Sequence, residues 1–316
     1  MTVPRWVTHL FRAAGLFTLF AVIGGSLVAA TESGFECGNW PGCDVDAILP
    51  GGVVNEILYR NPWIEMTHRA SAILSGPLAL VAGIVALRLR GVHILVKILP
   101  WVTVLGAFIA GFVGRGIVLG VVYPTWVGAL DLGAALVALV AMVTATILVE
   151  RTPAQWFPTR AGLFAWGAVG TLLVMHLTSL WAAGPGSFTR VVSWPVWNIV
   201  HADAQGSLAA QVARFPLMVL AVVLIALAVR EARALGVRTE GWIALAFAAS
   251  CLVLGAIIGS TGTDALGVPM AMSAVAVFFT MILVAARSSV LATTAAPSRG
   301  MTDTTPASEV EGSTRP

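Results

Sequence analysis

Eight apolar runs, each long enough to approach or exceed the roughly 20 residues a helix needs to cross a bilayer, constrain this chain more than any other feature. They cover roughly residues 8–30, 65–88, 94–114, 123–149, 162–183, 197–229, 241–260 and 266–286. The chain as a whole is 58% hydrophobic and only 10% charged, where a soluble domain carries about 25% charged residues. The expectation is an all-α integral membrane protein of eight transmembrane helices. The first run is long and lacks a clean small-residue cleavage site, so it reads as a span rather than a removable signal.

Basic residues orient the bundle. Arg5, Arg12, Arg88, Arg90, Lys97, Arg151, Arg160, Arg230, Arg233, Arg238 and Arg287 fall at one set of run ends, with Arg60, Arg115 and Arg190 the main exceptions. By the positive-inside rule both termini are cytoplasmic and the cell membrane is crossed in multiple passes. The 31–64 loop then lies on the outer face, and it is acidic, with Glu32, Glu36, Asp44, Asp46 and Glu56. The net charge of +3 reflects this bias at the lipid surface and carries no nucleic-acid footprint. The Thr/Ser/Pro/Glu-rich stretch over 288–316 has no apolar periodicity and reads as a disordered cytoplasmic tail.

Two of the three cysteines, Cys37 and Cys43, stand six residues apart in the outer loop. An oxidising compartment allows them to form a disulfide, as a staple or as a redox-active pair. Neither Cys nor His joins them there, which argues against zinc. Cys251, inside the seventh run, reads as a small packing residue.

Some features recur along the chain. The stretch 26–35 (SLVAATESGF) ends the first run and 179–188 (SLWAAGPGSF) ends the fifth; each is followed by Trp-Pro, at Trp40-Pro41 and Trp194-Pro195, and then by a run entered through a histidine, His68 or His201. The economical reading is two tandem four-helix bundles, 1–150 and 151–287, as parallel repeats.

Ionisable groups at membrane depth are expensive and mark function by default. Glu65 and His68 are spaced to share a helix face and to point into one cavity near the outer surface. A neutral imidazole suits heme iron, a carboxylate suits proton movement, and Arg69 suits an anionic group such as a propionate. His201 is the matching candidate of the second half. His176 sits about 12 Å below the outer end of the fifth run at about 1.5 Å per residue, where it needs a partner. Asp131 must be neutral, paired or wet, and Arg115 is a candidate partner across the hairpin. His9 and His93, at cytoplasmic ends, carry no catalytic expectation.

The stretch Gly34-Phe-Glu-Cys37-Gly-Asn-Trp-Pro-Gly-Cys43, followed by Ile64-Glu65-Met-Thr-His68-Arg69-Ala70, resembles the heme A synthase family over essentially residues 8–286. The resemblance implies eight helices in two halves, a cysteine pair between the first two helices, and an E-x-x-H-R motif opening the second. It implies oxidation of the C8 methyl of heme O to the formyl of heme A, a substrate site in the N-terminal half and a heme b in the C-terminal half. Glu65 matches the essential carboxylate, His68 and His201 match the helix-two and helix-six histidines, and Cys37 and Cys43 match the cysteine pair. The chain departs from the pattern at the fourth helix, where Asp131 stands in place of a histidine, and at the eighth, where Met270 and Met272 are the candidate ligands instead. Asp131, His176 and Met272 therefore remain additional candidates for completing the iron sites.

Two functions follow as expectations. One is a heme-dependent oxidoreductase with heme O as substrate, heme b as cofactor, and a heme O synthase and an electron donor as membrane partners. The other is a non-catalytic heme-binding or oxidase-assembly protein on the same scaffold. A homo-oligomer is compatible with either.

Overall fold

The computed structural model describes residues 3–51, 57–152, 154–157, 159–183, 208–261 and 266–292. Among them are eight helices long and apolar enough to cross a membrane: α1 (Arg5–Ala30), α2 (Pro62–Arg88), α3 (Ile94–Val118), α4 (Thr125–Glu150), α5 (Arg160–Ala183), α6 (Leu208–Ala232), α7 (Arg238–Thr261) and α8 (Gly267–Ser289). The protein is an all-helical, multi-pass membrane protein.

Several helix ends differ from the apolar runs, for local reasons. α2 begins at Pro62 rather than 65 because the Asn61 side chain caps it, accepting from the Trp63 N–H at 2.9 Å, and Pro62 fills the first turn, where no N–H is needed. α6 is described from Leu208, so the start of the sixth run and His201 lie outside the described residues. Residues 288–292, expected to belong to the tail, lie in regular structure. Ser288 and Ser289 complete α8, and Val290–Ala292 (β2) pairs antiparallel with Ala154–Trp156 (β1), a small sheet that sequence periodicity did not suggest. The Arg151 side chain fixes this join by donating to the carbonyls of Arg287 and Val290.

Helix neighbours form two cycles. α1 packs on α2 and α4, with α3 bridging α2 and α4; α5 packs on α6 and α8, with α7 bridging α6 and α8. The α1–α4 side of one cycle meets the α5–α8 side of the other, and α4 and α8 are the most buried helices.

Lipid provides little hydrophobic force between helices, so close contact depends on small residues and shared hydrogen bonds. At the α3–α4 crossing, Thr103 Oγ1 donates to the Ala138 carbonyl at 3.2 Å, and Gly106 lies against the Ala134 backbone. Thr146 Oγ1 ties α4 to the Phe11 carbonyl of α1 at 3.1 Å. A Cβ at Gly106 would lie 2.5 Å from the Ala134 carbonyl oxygen, whereas one at the exposed Gly111 would meet nothing within 4 Å. Gly106→Ala should therefore lower stability by about 1–3 kcal/mol through overpacking, while Gly111→Ala should leave it unchanged or slightly raised. Thermal unfolding of both variants in one detergent checks the contrast.

Candidate functional site

The polar chemistry gathers where α1 ends and α2 begins, the loop end of the bundle. The base of the loop is zipped shut. The Arg60 N–H donates to the Thr31 carbonyl at 2.9 Å, the Asn61 N–H donates to Ser33 Oγ at 3.0 Å, and the Thr31 and Ser33 hydroxyls bond each other at 2.7 Å. Glu32 and Arg60 take left-handed backbone conformations at φ 55° and 50°, which turn the chain on either side of that zip.

Above it, Cys37 and Cys43 are joined in a disulfide. The small ring they close is held down on α2 by one side chain. Both terminal nitrogens of Arg69 are fully used: Nη1 donates to the carbonyls of Asn39 and Gly42, and Nη2 donates to the Cys37 carbonyl and the Glu65 carboxylate. Glu65 completes the clamp, since its other oxygen accepts the Cys37 N–H at 2.9 Å. Glu65 and Arg69 are only 2% and 6% exposed, so each is the counter-ion the other needs to stay charged away from water. Gly42 is required by this packing, because a Cβ there would lie 2.8 Å from the Ala47 carbonyl.

This geometry separates two residues that their spacing had suggested would share a cavity. The carboxylate of Glu65 faces the disulfide loop, whereas His68 faces α1. The His68 Nδ1 lies 2.9 Å from the Ala21 carbonyl oxygen. A carbonyl only accepts, so Nδ1 carries the proton in the neutral ring and Nε2 keeps the lone pair. The ring rests in a notch made by Gly24 and Gly25. A Cβ on Gly24 would lie 2.9 Å from both Cα and Cβ of His68, and one on Gly25 would lie 3.2 Å from its Cε1. An N–H donated to a backbone carbonyl is the usual support of a metal-ligating imidazole, since it fixes the tautomer and raises the basicity of the other nitrogen. His68 thus fits the donor role that iron requires.

The other candidates are placed as follows. Arg115 does not pair with Asp131; its guanidinium lies over the Trp40 ring, 5.5 Å from the centroid, and ties the end of α3 to the disulfide loop. Asp131 is half-buried on α4 and has neither hydrogen bond nor ion pair among the described residues. His176 is 0% exposed on α5, with neither ring nitrogen hydrogen-bonded among the described residues and its ring nearly perpendicular to that of Phe278 of α8. Met270 is buried in the core and Met272 is half-buried. His201 lies outside the described residues. No group of three or more His, Cys, Asp or Glu side chains gathers as a metal site among the described residues.

Sequence reasoning missed Ala21, Gly24 and Gly25, which hold His68, and Arg214, which is 1% exposed on α6 with Nε donating to the Met175 carbonyl at 3.2 Å. An arginine within an apolar run was the available signal for Arg214. The Gly24-Gly25 pair offered none beyond close packing.

No family model matches the chain. It is similar to the heme A synthase of Geobacillus kaustophilus (strain HTA426), 31% identical over 138 residues, which are 43% of this chain and 41% of that relative. It is also similar to the heme A synthase of Bacillus pumilus (strain SAFR-032), 36% identical over 66 residues, 20% of this chain and 19% of that relative. The matched segments thus span less than half of either curated relative.

Removing one member of a buried ion pair strands the other charge, at a cost of about 3–5 kcal/mol. Glu65→Ala and Arg69→Ala should each destabilise the protein on that scale, and the double variant should lose less than the sum of the two. Unfolding midpoints around this double-mutant cycle provide the measurement. Strictly additive losses would mean that Glu65 and Arg69 act independently.

Proposed function

We propose that the chain is a heme A synthase-like membrane oxidoreductase that oxidises the C8 methyl of heme O to the formyl group of heme A, with heme b as its resident cofactor. The observation that carries this reading is His68, with its tautomer set by the Ala21 carbonyl and its Nε2 lone pair uncommitted at the loop end of the α1–α4 cycle. The similarity to two heme A synthases supports it. In this reading the loop end is the outer face, both termini are cytoplasmic, the α1–α4 half takes heme O through His68, and the α5–α8 half takes heme b through His201. An electron donor and a heme O synthase are its membrane partners.

The bound porphyrin iron supplies the oxygen and electron-transfer chemistry; the protein supplies position, charge and exclusion of water. His68 presents a fixed nitrogen. The terminal N–H groups of Arg69 are taken by three loop carbonyls and by Glu65, so it acts by holding the loop over α2 rather than by meeting a propionate. Glu65 is salt-bridged as the loop's anchor, and any proton it passes must first cross that ion pair. Asp131, half-buried on α4, is a carboxylate at membrane depth without an ion pair among the described residues, available to move a proton or complete a ligand set.

A second reading keeps the heme without the oxidation. It is favoured by the same clamp, which commits both oxygens of Glu65 to structure, and by the absence of histidine from α8.

Expression in a host supplied with heme O but lacking its own heme A synthase separates the readings. Pyridine hemochrome and reduced-minus-oxidised spectra of the purified protein, with chromatography of the extracted hemes, should show bound heme and the appearance of heme A. Bound heme with no conversion leaves the binding-protein reading. A folded protein with no heme sinks both. His68→Ala should lose or shift one heme signal, and an unchanged spectrum would remove His68 from the site.

A further inference from the structure

His68 is set against α1 by two glycines that do different things. Gly24 meets the histidine's own backbone: an added Cβ would lie 2.9 Å from His68 Cα, an atom fixed by α2. Gly24 therefore sets how closely α1 and α2 approach. Gly25 meets only the ring, with its would-be Cβ 3.2 Å from Cε1 and 3.7 Å from both Nδ1 and Nε2. Nδ1 is already satisfied by Ala21. Nε2 is the nitrogen left to accept a metal, and a side chain at 25 would press on the ring that carries it.

We propose that Gly25 is a positioning residue: its missing side chain lets the His68 ring seat against α1, so that Nε2 is offered to an iron-porphyrin in one orientation, while Ala21 fixes which nitrogen is offered. This rests on the heme reading above and adds a residue that decides how the His68 ring is presented. A side chain at 25 would not need to break the fold to act. It would press on the ring and tilt it away from α1. Alanine requires the imidazole to yield by a few tenths of an ångström, and a branched side chain requires more.

The test is a graded series, Gly25→Ala and Gly25→Val, beside Gly24→Ala and His68→Ala, in full-length protein purified in detergent. Heme is added as hemin to protein made without it, and affinity, stoichiometry by pyridine hemochrome, and band positions are read. Gly25→Ala should keep the heme-free unfolding midpoint close to that of the unaltered chain. Its affinity should fall on the order of 10–100-fold, the range typical of disturbed support around a metal-ligating histidine, with shifted bands. Gly25→Val should fall further. Gly24→Ala should instead lower the heme-free midpoint, because it pushes on backbone.

A second measurement reads the notch without heme. The chain has five histidines, so ¹⁵N-histidine labelling with His68→Gln subtraction assigns the His68 ring. It should be the Nδ1–H tautomer in the unaltered protein and be perturbed in Gly25→Ala. If hemin binds the unaltered chain and His68→Ala loses it, but both Gly25 variants bind with unchanged affinity and bands, the positioning role is wrong and the heme reading stands. If the unaltered, folded chain takes no hemin while the His68 signal shows the Nδ1–H tautomer, the heme reading fails and takes the positioning role with it.

Discussion

The loop end depends on one buried ion pair. Arg69 and Glu65, one helical turn apart on α2, are both almost wholly removed from water. Desolvating two charges costs several kcal/mol for each, and attraction between them offsets this only if the remaining donors and acceptors are also matched. Here they are. The guanidinium also reaches the carbonyls of Cys37, Asn39 and Gly42, and the carboxylate takes the Cys37 N–H. Those partners all belong to the small ring closed by the disulfide. The ion pair is therefore stable because the ring presents its carbonyls inward, and the ring can present them because Cys43 is tied back to Cys37. Neither the charges nor the loop would adopt this arrangement alone.

The same turn of α2 does a second job on another face. At about 100° per residue, Glu65 and Arg69 lie some 40° apart, whereas His68 is rotated by about 60° from Glu65 and 100° from Arg69. The first difference keeps acid and base on one partner, the loop. The second is enough to turn the imidazole onto α1. The shared cavity expected for Glu65 and His68 assumed that i,i+3 residues have one neighbour. Here two neighbours meet α2 at this level, and each takes one side chain.

The legibility of the chain follows from the range of the forces involved. Spans were readable because the bilayer demands a long apolar run with internally satisfied backbone, and that demand is written residue by residue. The start of α2 was also written locally, in Asn61-Pro62, though the apolar run alone placed it later. The cysteine pair was readable from compartment and spacing. The partner of Arg115 was not, since a carboxylate and an indole both attract a guanidinium and only the folded loop brings Trp40 over α3. The β1–β2 join was invisible for a similar reason: three-residue strands have no useful periodicity, and they pair across more than a hundred residues. The Gly24-Gly25 notch has no sequence signal of its own, because its role depends on the histidine that α2 brings against it.

The two cycles of helices have matching contacts, yet their described histidines differ chemically. His68 has its N–H satisfied by a carbonyl, so its ring is held in one tautomer and one orientation before anything binds. His176 has neither nitrogen hydrogen-bonded among the described residues, and a buried polar group left so costs about 1–3 kcal/mol. A ring that starts satisfied on one side needs no reorganisation to offer the other, while a ring with both nitrogens unmet lacks any hydrogen bond to select a tautomer. Preorganisation is therefore a property of the α1–α2 pair, and it comes from the backbone: a carbonyl at Ala21 and the absence of side chains at 24 and 25.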